Sequence, residues 1–398
     1  MEKLKVLSLN CWGLRFLSKD LDQRMAALGD LLAKSDYDII GLQEVWVEEH
    51  YLSIKEKIKN ILPYSHRFIS NGFISTGCVT FSKYPIIDTL FQRYLFNGYF
   101  YDYNHGDWYA GKGITGVIIK HPKKDIYFFN THMHANYDYQ NAKFHFNECR
   151  TLQAYQATQF VKHVTRPSDP IIFSGDFNHE SHELGMRGLK ELISLRDTHD
   201  ICEKKCGDLA TVDCESNHYL EPTEAAKRID FIFCNDFFTC DGSKLACRQI
   251  PNSKMHYSDH EGYEVELTFH HDKESVDHSK MEDYKSLGLL SKIHDCMKEG
   301  ERISSELSWV LIITLAIAFS LVVGLPACYA GLDMFAHPST IWASVVFFCQ
   351  LIIVVFCAIY LWVVLSLRKC EMHTFKGIAQ EIEIKMKQLV SSNGKKSD

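Results

Sequence analysis

Two acidic motifs in the middle of the chain contain the residue types that hydrolysis of a phosphate ester requires. Asp176 and Asn178 stand two residues apart just after the apolar run 171–173, so a strand that ends there directs both side chains to one point. The triplet Ser258-Asp259-His260 places a histidine next to a carboxylate shortly before another strand-like run. A carboxylate, an amide and a distant histidine suit metal-assisted attack of water on a phosphate ester.

Two earlier strand-like segments each end on one oxygen ligand. Asn10 closes the β-like run that starts near Lys5, and Glu44 follows the run 39–43. Mg²⁺ takes few protein oxygens and keeps several waters, so one carboxylate with one amide fits its coordination better than a dense acidic cage does. Either residue alone indicates little, because a polar side chain at a strand end is usually a solvated cap.

Two further segments each allow two interpretations. His132 and His134 follow a strand-like run, and they are either ordinary polar residues at a strand end or a zinc pair on one face of the strand. Zinc is disfavoured because no third nitrogen or sulfur ligand lies nearby in the sequence. Asp230 interrupts an apolar strand pattern, where an unpaired carboxylate is costly. It either forms a salt bridge with Arg228 or orients His260 and stabilises its imidazolium.

The order of these groups along the chain resembles that of the endonuclease/exonuclease/phosphatase superfamily, which includes DNase I and the magnesium-dependent sphingomyelinases. Further motifs look like the neutral sphingomyelinase branch with two membrane spans near its C-terminus. These motifs are Leu9-Asn10-Cys11-Trp12-Gly13, Phe81-Ser82-Lys83-Tyr84-Pro85, Asn97-Gly98-Tyr99, His105-Gly106-Asp107-Trp108-Tyr109-Ala110-Gly111-Lys112 and Thr131-His132-Met133-His134-Ala135. The similarity extends from residue 4 to about residue 370.

The resemblance implies a site that depends on Mg²⁺, which Mn²⁺ can replace. Glu44 is expected to be the principal metal ligand, and Asn10 is expected to assist it. Lys112 and Asp259 are expected to bind the substrate.

Five residues are expected to carry the catalysis: His132, Asp176, Asn178, Asp230 and His260. In the implied mechanism His260 takes a proton from the attacking water while Asp230 orients its ring. Asp176 and Asn178 position that water and the phosphate, and His132 donates to the pentavalent transition state. The sequence gives no distances, so the roles of the two histidines are interchangeable at this point. His260 is expected to have an ordinary pKa of about 6.5, at which it accepts a proton at neutral pH.

The composition bounds the class of protein. The 398 residues carry a formal net charge of −7, whereas a dedicated nucleic-acid binder usually shows a basic patch and a high pI, so no nucleic-acid partner is expected. The 14 cysteines include no Cys-x-x-Cys pair, and the N-terminus lacks the apolar core of a signal peptide. Both features favour a cytosolic domain with reduced thiols over a disulfide scaffold.

One large α/β catalytic domain is expected at residues 1–270. Strand-like runs alternate there with stretches of helical spacing, among them 24–32, 48–61 and 140–164. Catalytic groups at strand ends and helices outside describe a layered α/β sandwich. The resemblance adds that the sandwich is DNase I-like, with two mixed β-sheets flanked by helices.

The composition changes after this domain. A polar linker and a juxtamembrane helix are expected at 271–306, followed by a two-helix transmembrane hairpin at 307–368. Its apolar segments, 309–330 and 341–367, each exceed the roughly 20 residues that cross a bilayer as a helix. A buried helical hairpin is the alternative, but core helices are rarely apolar on every side for that length. An amphipathic helix is expected at 371–392.

Lysine and arginine flank only the outer ends of the two apolar segments. The positive-inside rule therefore places the catalytic domain and the C-terminus in the cytosol, and the short loop 331–340 in the lumen. The final residues Lys395-Lys396-Ser397-Asp398 resemble a dilysine retrieval signal, so the endoplasmic reticulum or the Golgi is favoured over the plasma membrane. Self-association through the transmembrane or C-terminal helices is a further expectation.

A membrane anchor suits an enzyme whose phosphodiester lies at the lipid surface, because anchoring raises its local concentration there. The expected reaction is hydrolysis of sphingomyelin to ceramide and phosphocholine. Aromatic residues between Tyr94 and Tyr109 either contact lipid or the choline head group, or pack as ordinary loop residues. A phospholipase C for lysophospholipids, including lyso-platelet-activating factor, is the nearest alternative. A DNase-like nuclease and a non-enzymatic membrane scaffold are more distant alternatives.

Overall fold

Twelve β-strands form two sheets within the part of the chain that the structure describes. This computed structural model describes residues 2–71, 74–99, 106–137, 146–205, 207, 209–219, 225–273, 283–336 and 340–394. The strands are β1 (Glu2–Asn10), β2 (Ile39–Gln43), β3 (Tyr64–Arg67), β4 (Val79–Ser82), β5 (Ile86–Arg93), β6 (Gly113–Ile119), β7 (Ile126–His132), β8 (Ile171–Asp176), β9 (Arg196–Asp197), β10 (Asp230–Cys234), β11 (Phe238–Ala246) and β12 (Gly262–Phe269). Their order is β11-β12-β1-β2-β4-β3 in the first sheet and β5-β6-β7-β8-β10-β9 in the second.

Each sheet has one parallel pair near its centre. β1 pairs with β2 in parallel, and so does β7 with β8, whereas the other neighbouring strands are antiparallel. The carboxyl ends of parallel neighbours lie at the same edge of a sheet. Both sheets are therefore mixed, and each brings two strand ends together.

The central strands are apolar on both faces, which requires a covering layer on each side of each sheet. In β1, Val6 faces the core between the two sheets, whereas Leu7 packs in the core on the outer side. In β7, Phe128 and Phe129 divide between the inner and the outer core in the same way. Successive side chains of a strand point to opposite faces, so these runs supply three hydrophobic layers.

Helices cover the outer faces of both sheets. The helices of this part of the chain are α1 (Leu21–Leu32), α2 (Glu48–Ile58), α3 (Asn147–Val164), α4 (Leu184–Leu192) and α5 (Thr198–Ile201). Leu28 of α1 and Ile54 of α2 pack on the first sheet, and Val161 of α3 packs on the second. The result confirms the predicted layered sandwich of two mixed sheets flanked by helices.

Some elements were absent from the sequence prediction. Most side chains of β5 are half-buried or exposed, so this edge strand lacks the apolar alternation that identifies a strand. Helix α3 begins at Asn147, and residues 140–145 of the predicted helix 140–164 lie outside the described residues. The cysteines of the described ranges are free, and those between Cys11 and Cys247 are buried. Their reduced state stays a prediction.

The chain divides into two compact units, 1–293 with 389–398 and 294–388. Three helices occupy the C-terminal region, namely α6 (Asp283–Ala336), α7 (Thr340–Val363) and α8 (Lys369–Gly394), with a π-helical turn at Val364–Arg368. Within the second unit, the Arg368 guanidinium pairs with Glu371 and donates to the Ser304 carbonyl oxygen at 2.8 Å. Because α6 is continuous, the predicted juxtamembrane helix and the first apolar segment belong to one helix.

One helical run in the described ranges, Ile341–Ser391, is long and apolar enough to cross a bilayer, and a shorter apolar helix spans Ile312–Val322. Large apolar side chains such as Trp309 and Phe348 are exposed, unlike those of a core helix. The two-span hairpin and its orientation stay predictions. Parts of the predicted linker (274–282), of the lumenal loop (337–339) and the dilysine pattern (395–398) lie outside the described residues.

Candidate active site

The predicted catalytic residues meet at one end of the sandwich, where central strands of both sheets stop. Asn10 ends β1, and its register partner in β2 is Gln43, which Glu44 follows. In the other sheet His132 ends β7 and is the register partner of Asp176, the last residue of β8. Two parallel pairs therefore present four polar side chains at a common edge.

The antiparallel strand β10 completes this edge. It begins where β8 ends, so its first residue, Asp230, is the register partner of Asp176. The loop before β12 supplies Asp259 and His260. A backbone bridge between Val212 and His260 fixes the end of that loop.

Side-chain hydrogen bonds hold the two sheets together next to the site. Asn130 of β7 donates from Nδ2 to the carbonyl oxygens of Leu42 (3.0 Å) and Val79 (3.2 Å) in the first sheet. Its Oδ1 accepts a hydrogen bond of 2.7 Å from Gln43 Nε2. Both amides are fully buried, so water does not compete for these bonds. They set the separation of the catalytic groups that the two sheets contribute.

Asp230 pairs with His260 and not with Arg228. Asp230 Oδ2 lies 2.9 Å from His260 Nδ1, whereas Arg228 contacts Asp197 at 2.6 Å. The salt-bridge interpretation of Asp230 is therefore wrong. With Nδ1 engaged, His260 directs Nε2 toward Asp176 Oδ2, at 4.0 Å.

The charges of this cluster shift the pKa values of its residues. Burial alone lowers the pKa of His260, but the surrounding carboxylates, above all Asp230, raise it well above its ordinary value. The expectation of an ordinary pKa for His260 was wrong, since the carboxylates of Asp230, Asp259 and Asp176 surround the imidazole. Burial, and then the charge of Asp230, raise the pKa of Asp176 to about 7. The cluster has an excess of buried negative charge and therefore favours a proton or a cation.

Asn10 bridges acidic groups of the two sheets. Its Nδ2 donates to Glu44 Oε1 at 3.0 Å and to Asp176 Oδ2 at 2.8 Å. Its Oδ1 accepts from the Trp12 backbone N–H at 2.9 Å, so Nδ2 and not Oδ1 faces the two carboxylates, and rotation of the amide would turn the oxygen toward a cation held between them. Burial, and then the charge of Asp259, raise the pKa of Glu44. Glu44 thus adds to the uncompensated negative charge.

The chain turns sharply at Glu44, which has a left-handed φ of 57°. This conformation costs free energy in a residue other than glycine, and such strain is typical of functional sites. A Cβ atom on Gly13 would lie 2.0 Å from the Glu44 carbonyl oxygen. Only glycine therefore allows the loop after β1 to pass this close to the Glu44 turn.

Lys112 lies beside His132 in a buried network. Its Nζ is 3.0 Å from His132 Nε2, and the ammonium also pairs with Asp107. His132 Nε2 faces Asp176 Oδ2 at 3.6 Å and Glu44 Oε1 at 4.0 Å. Burial, and then the charge of Lys112, lower the pKa of His132 well below its ordinary value, so the ring is neutral at neutral pH. Lys112 supports His132 here, and its contact with a substrate stays a prediction.

His134 does not share a centre with His132. Its Nδ1 lies 2.7 Å from the carbonyl oxygen of Ala135, and its ring stacks on Phe146 at a centroid distance of 4.5 Å. Burial lowers the pKa of His134 to about 4. The pair is therefore not a zinc site, in agreement with the sequence argument against zinc.

Asn178 and Asp259 lie at opposite flanks of the cluster. The Asn178 backbone N–H donates to Asp176 Oδ1 at 3.0 Å, and its Nδ2 donates to the Met133 carbonyl oxygen at 2.9 Å. Asp259 accepts a hydrogen bond of 3.1 Å from Ser258 Oγ, and burial raises the pKa of Asp259. Both residues adjoin the cluster as the sequence predicted, and their roles stay predictions.

Arg24 is a buried cation that the sequence analysis missed. Its guanidinium donates to four carbonyl oxygens, those of Lys19 (2.8 Å), Cys11 (2.9 Å), Trp12 (2.8 Å) and Tyr257 (3.0 Å). It therefore ties the loop after β1 to the loop that carries His260. An arginine in an amphipathic helix normally faces water, so no pattern in the sequence marks this position.

The acidic cluster fits a hard divalent cation. Ligand atoms of Asp176, Asp230 and His260 lie within 4.8 Å of one another, and Asp230 Oδ1 is buried and has no hydrogen-bond partner among the residues that the structure describes. Carboxylates outnumber nitrogen donors, and Glu44 joins the cluster through Asn10, so the donor set favours Mg²⁺ or Mn²⁺ over zinc. The geometry adds Asp176 to the predicted metal pair, because Asn10 Nδ2 bonds both Glu44 and Asp176, whereas Asp230 is engaged with His260 Nδ1.

The aromatic side chains directly after β5 pack inward, whereas Tyr109 further along the segment is exposed. Tyr94, Phe96 and Tyr99 are buried, and Tyr94 Oη lies 2.7 Å from Thr131 Oγ1. The burial of these three residues favours the interpretation of ordinary packing over that of choline binding. Residues 100–105 lie outside the described residues.

The same residues fall within one known sequence family. The profile of the Endonuclease/Exonuclease/phosphatase family matches residues 7–260. This segment begins three residues before Asn10 and ends on His260, so it includes every predicted site residue.

Individual proteins are also similar to this chain over about two thirds of its length. The chain is 33% identical over 304 residues to the putative neutral sphingomyelinase of Caenorhabditis elegans, which covers 68% of this chain and 69% of that protein. It is 31% identical over 282 residues to sphingomyelin phosphodiesterase 2 of Homo sapiens, which covers 68% of this chain but less than two thirds, 65%, of that protein. The beta toxin from Staphylococcus aureus with bound magnesium ions shares the fold, with a TM-score of 0.52 at 16% identity over 66% of this chain and 99% of the toxin.

Proposed function

The chain belongs to the endonuclease/exonuclease/phosphatase family, and from this premise we propose that it is a membrane-anchored, Mg²⁺-dependent phosphodiesterase that hydrolyses sphingomyelin to ceramide and phosphocholine. The observation that carries the proposal is its identity of 31–33%, over about two thirds of the chain, to proteins named as neutral sphingomyelinases or sphingomyelin phosphodiesterase. The fold alone does not carry it, because one fold supports many reactions.

The acidic cluster supports the choice of metal. Glu44 is the principal residue that would hold Mg²⁺, with Asn10 assisting and Asp176 next to both. The magnesium ions bound to the beta toxin of the same fold favour the same cation. When bound, Mg²⁺ supplies polarisation of a phosphoryl oxygen and stabilisation of the leaving alkoxide.

His260 accepts the proton of the attacking water at Nε2, because Nδ1 is held by Asp230. His260 can accept a proton only when its ring is neutral. A cation held among the neighbouring carboxylates would lower the raised pKa of His260 toward neutral pH. The Asp230 carboxylate fixes the tautomer and stabilises the imidazolium that forms.

The opposite side of the cluster stabilises the transition state. Asp176 and Asn178 position the water and the phosphate. The Lys112 ammonium, 3.0 Å from His132 Nε2, supplies positive potential for the phosphoryl oxygens as their charge grows. His132 donates to these oxygens only when its Nε2 carries a proton and no longer accepts one from Lys112. The buried setting strengthens these interactions because water does not screen them.

A side-by-side turnover assay tests the reaction. Detergent-solubilised protein should hydrolyse sphingomyelin with Mg²⁺, lose this activity in EDTA and regain it when Mg²⁺ is restored. Glu44→Gln, which keeps the side chain's size, should be inactive, whereas Ile87→Ala at the opposite edge should be fully active. Full activity in EDTA would refute the metal mechanism.

The same assay separates the alternative substrates. Faster turnover of lysophosphatidylcholine than of sphingomyelin would assign the chain to the lysophospholipid alternative. Cleavage of duplex DNA without lipid hydrolysis would overturn the assignment in favour of a nuclease. A protein that acts on none of the three substrates would favour the scaffold.

The proposed topology has the catalytic domain 1–270 and the tail after 368 in the cytosol, with a hairpin of two spans between them. The helix Ile341–Ser391, whose apolar part is long enough to cross a bilayer, supports one of the two spans, and the cations outside the apolar segments support the orientation. The endoplasmic reticulum or the Golgi is the proposed membrane. Protease added to sealed microsomes should remove epitopes at both termini and spare one in the loop 331–340. Protection of the N-terminal epitope would contradict a cytosolic active site.

A further inference from the structure

Exposed apolar side chains of the N-terminal unit concentrate at the edge that carries the catalytic residues. Those on this edge are Phe16, Leu17, Ile69, Leu95, Tyr109 and Tyr137. They lie in loops that follow β1, β3, β5 and β7 or that precede β6. Strand directions place these loops together, since β3 runs parallel to β2, and β5 runs parallel to β7. We call this set the apolar rim.

The most exposed part of the apolar rim is the loop directly after β1. Phe16 is 96% exposed and Leu17 is 73% exposed. The backbone N–H groups of Leu17 and Ser18 both donate to the Leu14 carbonyl oxygen, at 3.2 and 3.0 Å, so the tip of the loop is a defined turn. Phe16 has a left-handed φ of 73°, which is strained for a large side chain. The loop therefore maintains a strained backbone that keeps an apolar ring in water.

The base of this loop is rigid and linked to the active site. Arg24 donates to the carbonyl oxygens of Trp12 and Lys19, one at each end of the loop, at 2.8 Å each. The same guanidinium donates to the Tyr257 carbonyl oxygen at 3.0 Å, three residues before His260. Arg24 thus holds both the base of this loop and the loop that carries His260.

The charge around the tip fits a phospholipid surface. Arg15 and Lys19 are exposed and flank Phe16 and Leu17. Apolar side chains between basic residues are the pattern of segments that lie in a membrane interface, where the cations meet head-group phosphates.

We propose that the apolar rim, with Phe16 and Leu17 at its tip, docks the catalytic edge onto the surface of a lipid bilayer. This inference rests on the proposed function, because a sphingomyelin phosphodiester lies at head-group depth and reaches the acidic cluster only if this edge faces the lipid. Transfer of the exposed rings and methyl groups from water into the interface provides the driving force.

Kinetics of two forms of substrate test the docking. The full chain is reconstituted into phosphatidylcholine vesicles that contain sphingomyelin, and a short-chain, water-soluble sphingomyelin is assayed in parallel. Phe16→Ala/Leu17→Ala should reduce hydrolysis in the bilayer about tenfold or more and leave hydrolysis of the soluble substrate unchanged. Phe16→Trp should retain bilayer hydrolysis, because tryptophan favours the interface. Equal losses on both substrates, or no loss in vesicles, would overturn the docking role.

The control variant removes two exposed apolar side chains from the opposite edge. Tyr64 and Ile87 are exposed and lie at the starts of β3 and β5. Tyr64→Ala/Ile87→Ala should change neither activity. A loss in vesicles equal to that of the tip variant would overturn the assignment of docking to the catalytic edge.

Fluorescence quenching tests contact with lipid independently of catalysis. Lipids brominated on their acyl chains should quench added emission of Phe16→Trp but not that of Ile87→Trp. Absence of this quenching would overturn lipid docking and leave a protein partner for the rim. If the wild-type chain hydrolyses neither form of sphingomyelin, the proposed function fails, whereas the quenching result still decides whether the rim meets lipid.

Discussion

Replacement of Asp176 by asparagine should stabilise the metal-free protein at alkaline pH while it abolishes activity. Asp176 is 2% exposed, and burial with the charge of Asp230 raises its pKa from 3.8 to about 7. At 1.36 kcal/mol per pKa unit, the ionised carboxylate costs the folded state about 4 kcal/mol above pH 7. Asparagine has the same shape without the charge, so Asp176→Asn removes this cost.

Hydrogen bonding offsets part of that gain. Asp176 Oδ1 accepts from the Asn178 backbone N–H at 3.0 Å, and Oδ2 accepts from Asn10 Nδ2 at 2.8 Å. An asparagine keeps one acceptor but turns its own NH₂ group toward the other donor. One buried donor then lacks a partner, at a cost of about 1–3 kcal/mol. The net gain expected at pH 8 is about 1–3 kcal/mol.

The sign of this effect should reverse with pH. Because the folded-state pKa of Asp176 is raised, its contribution to stability is fully present below pH 3.8 and is lost as the pH rises through about 7. Near pH 4 wild-type Asp176 is protonated when folded, so the variant only loses a hydrogen bond and is the less stable protein. Mg²⁺ should stabilise the wild type at pH 8 and stabilise the variant much less.

Denaturant unfolding in detergent micelles with EDTA, at pH 4.5 and pH 8, measures both differences. The matched control is Asp272→Asn, since that carboxylate is 90% exposed and its removal should change stability little at either pH. A variant that is less stable than the wild type by the same amount at both pH values would refute the reasoning. It would show that Asp176 is not held ionised at a cost in the metal-free protein.

Buried charges around the site lead to three more expectations. Asp230→Asn should reduce kcat by about 10³–10⁴-fold. It should also shift the NMR titration of His260 to lower pH, because the carboxylate that raises the pKa of His260 is gone. An unshifted titration would contradict the contact between Asp230 and His260. Lys112→Met should destabilise the protein by about 3–5 kcal/mol in denaturant unfolding, since it leaves Asp107 buried without its cation, and a second change, Asp107→Asn, should recover most of that loss. Arg24→Met should lower kcat/KM by about 100-fold through displacement of the catalytic loop, with partial activity in Arg24→Lys; full activity in the Met variant would show that the four carbonyl contacts do not position the site.

Much of the fold and of the site was predictable because it is encoded locally. Apolar runs that end on Asn10, Glu44, His132 and Asp176 identify strands and place a polar side chain at each end. The prediction that two sheets pack against each other, by contrast, came only from the resemblance to a family. It depends on contacts such as Asn130 with Leu42, which join residues far apart in the chain.

The partners of buried charges were not predictable from spacing. Arg228 is two residues from Asp230 but contacts Asp197, and Asp230 contacts His260 instead. Side chains two apart on a strand point to the same face, so the spacing suggested that Arg228 and Asp230 form a pair. Arg228 instead precedes β10, which begins at Asp230, and its guanidinium contacts Asp197 at the end of β9.

The sequence by itself determined which side chains stand at strand ends, that oxygen ligands predominate among them, and that long apolar segments follow the catalytic domain. Residue type and periodicity carry that information, because local backbone geometry and hydrophobicity link each periodicity to a strand, a helix or a membrane span. Only the tertiary structure decided that His260 has a raised pKa, that Lys112 and Arg24 are buried supports, and that Phe16 projects beside the site. These properties depend on distances across the fold and on exclusion of water, and both arise only when the two sheets and their loops pack together.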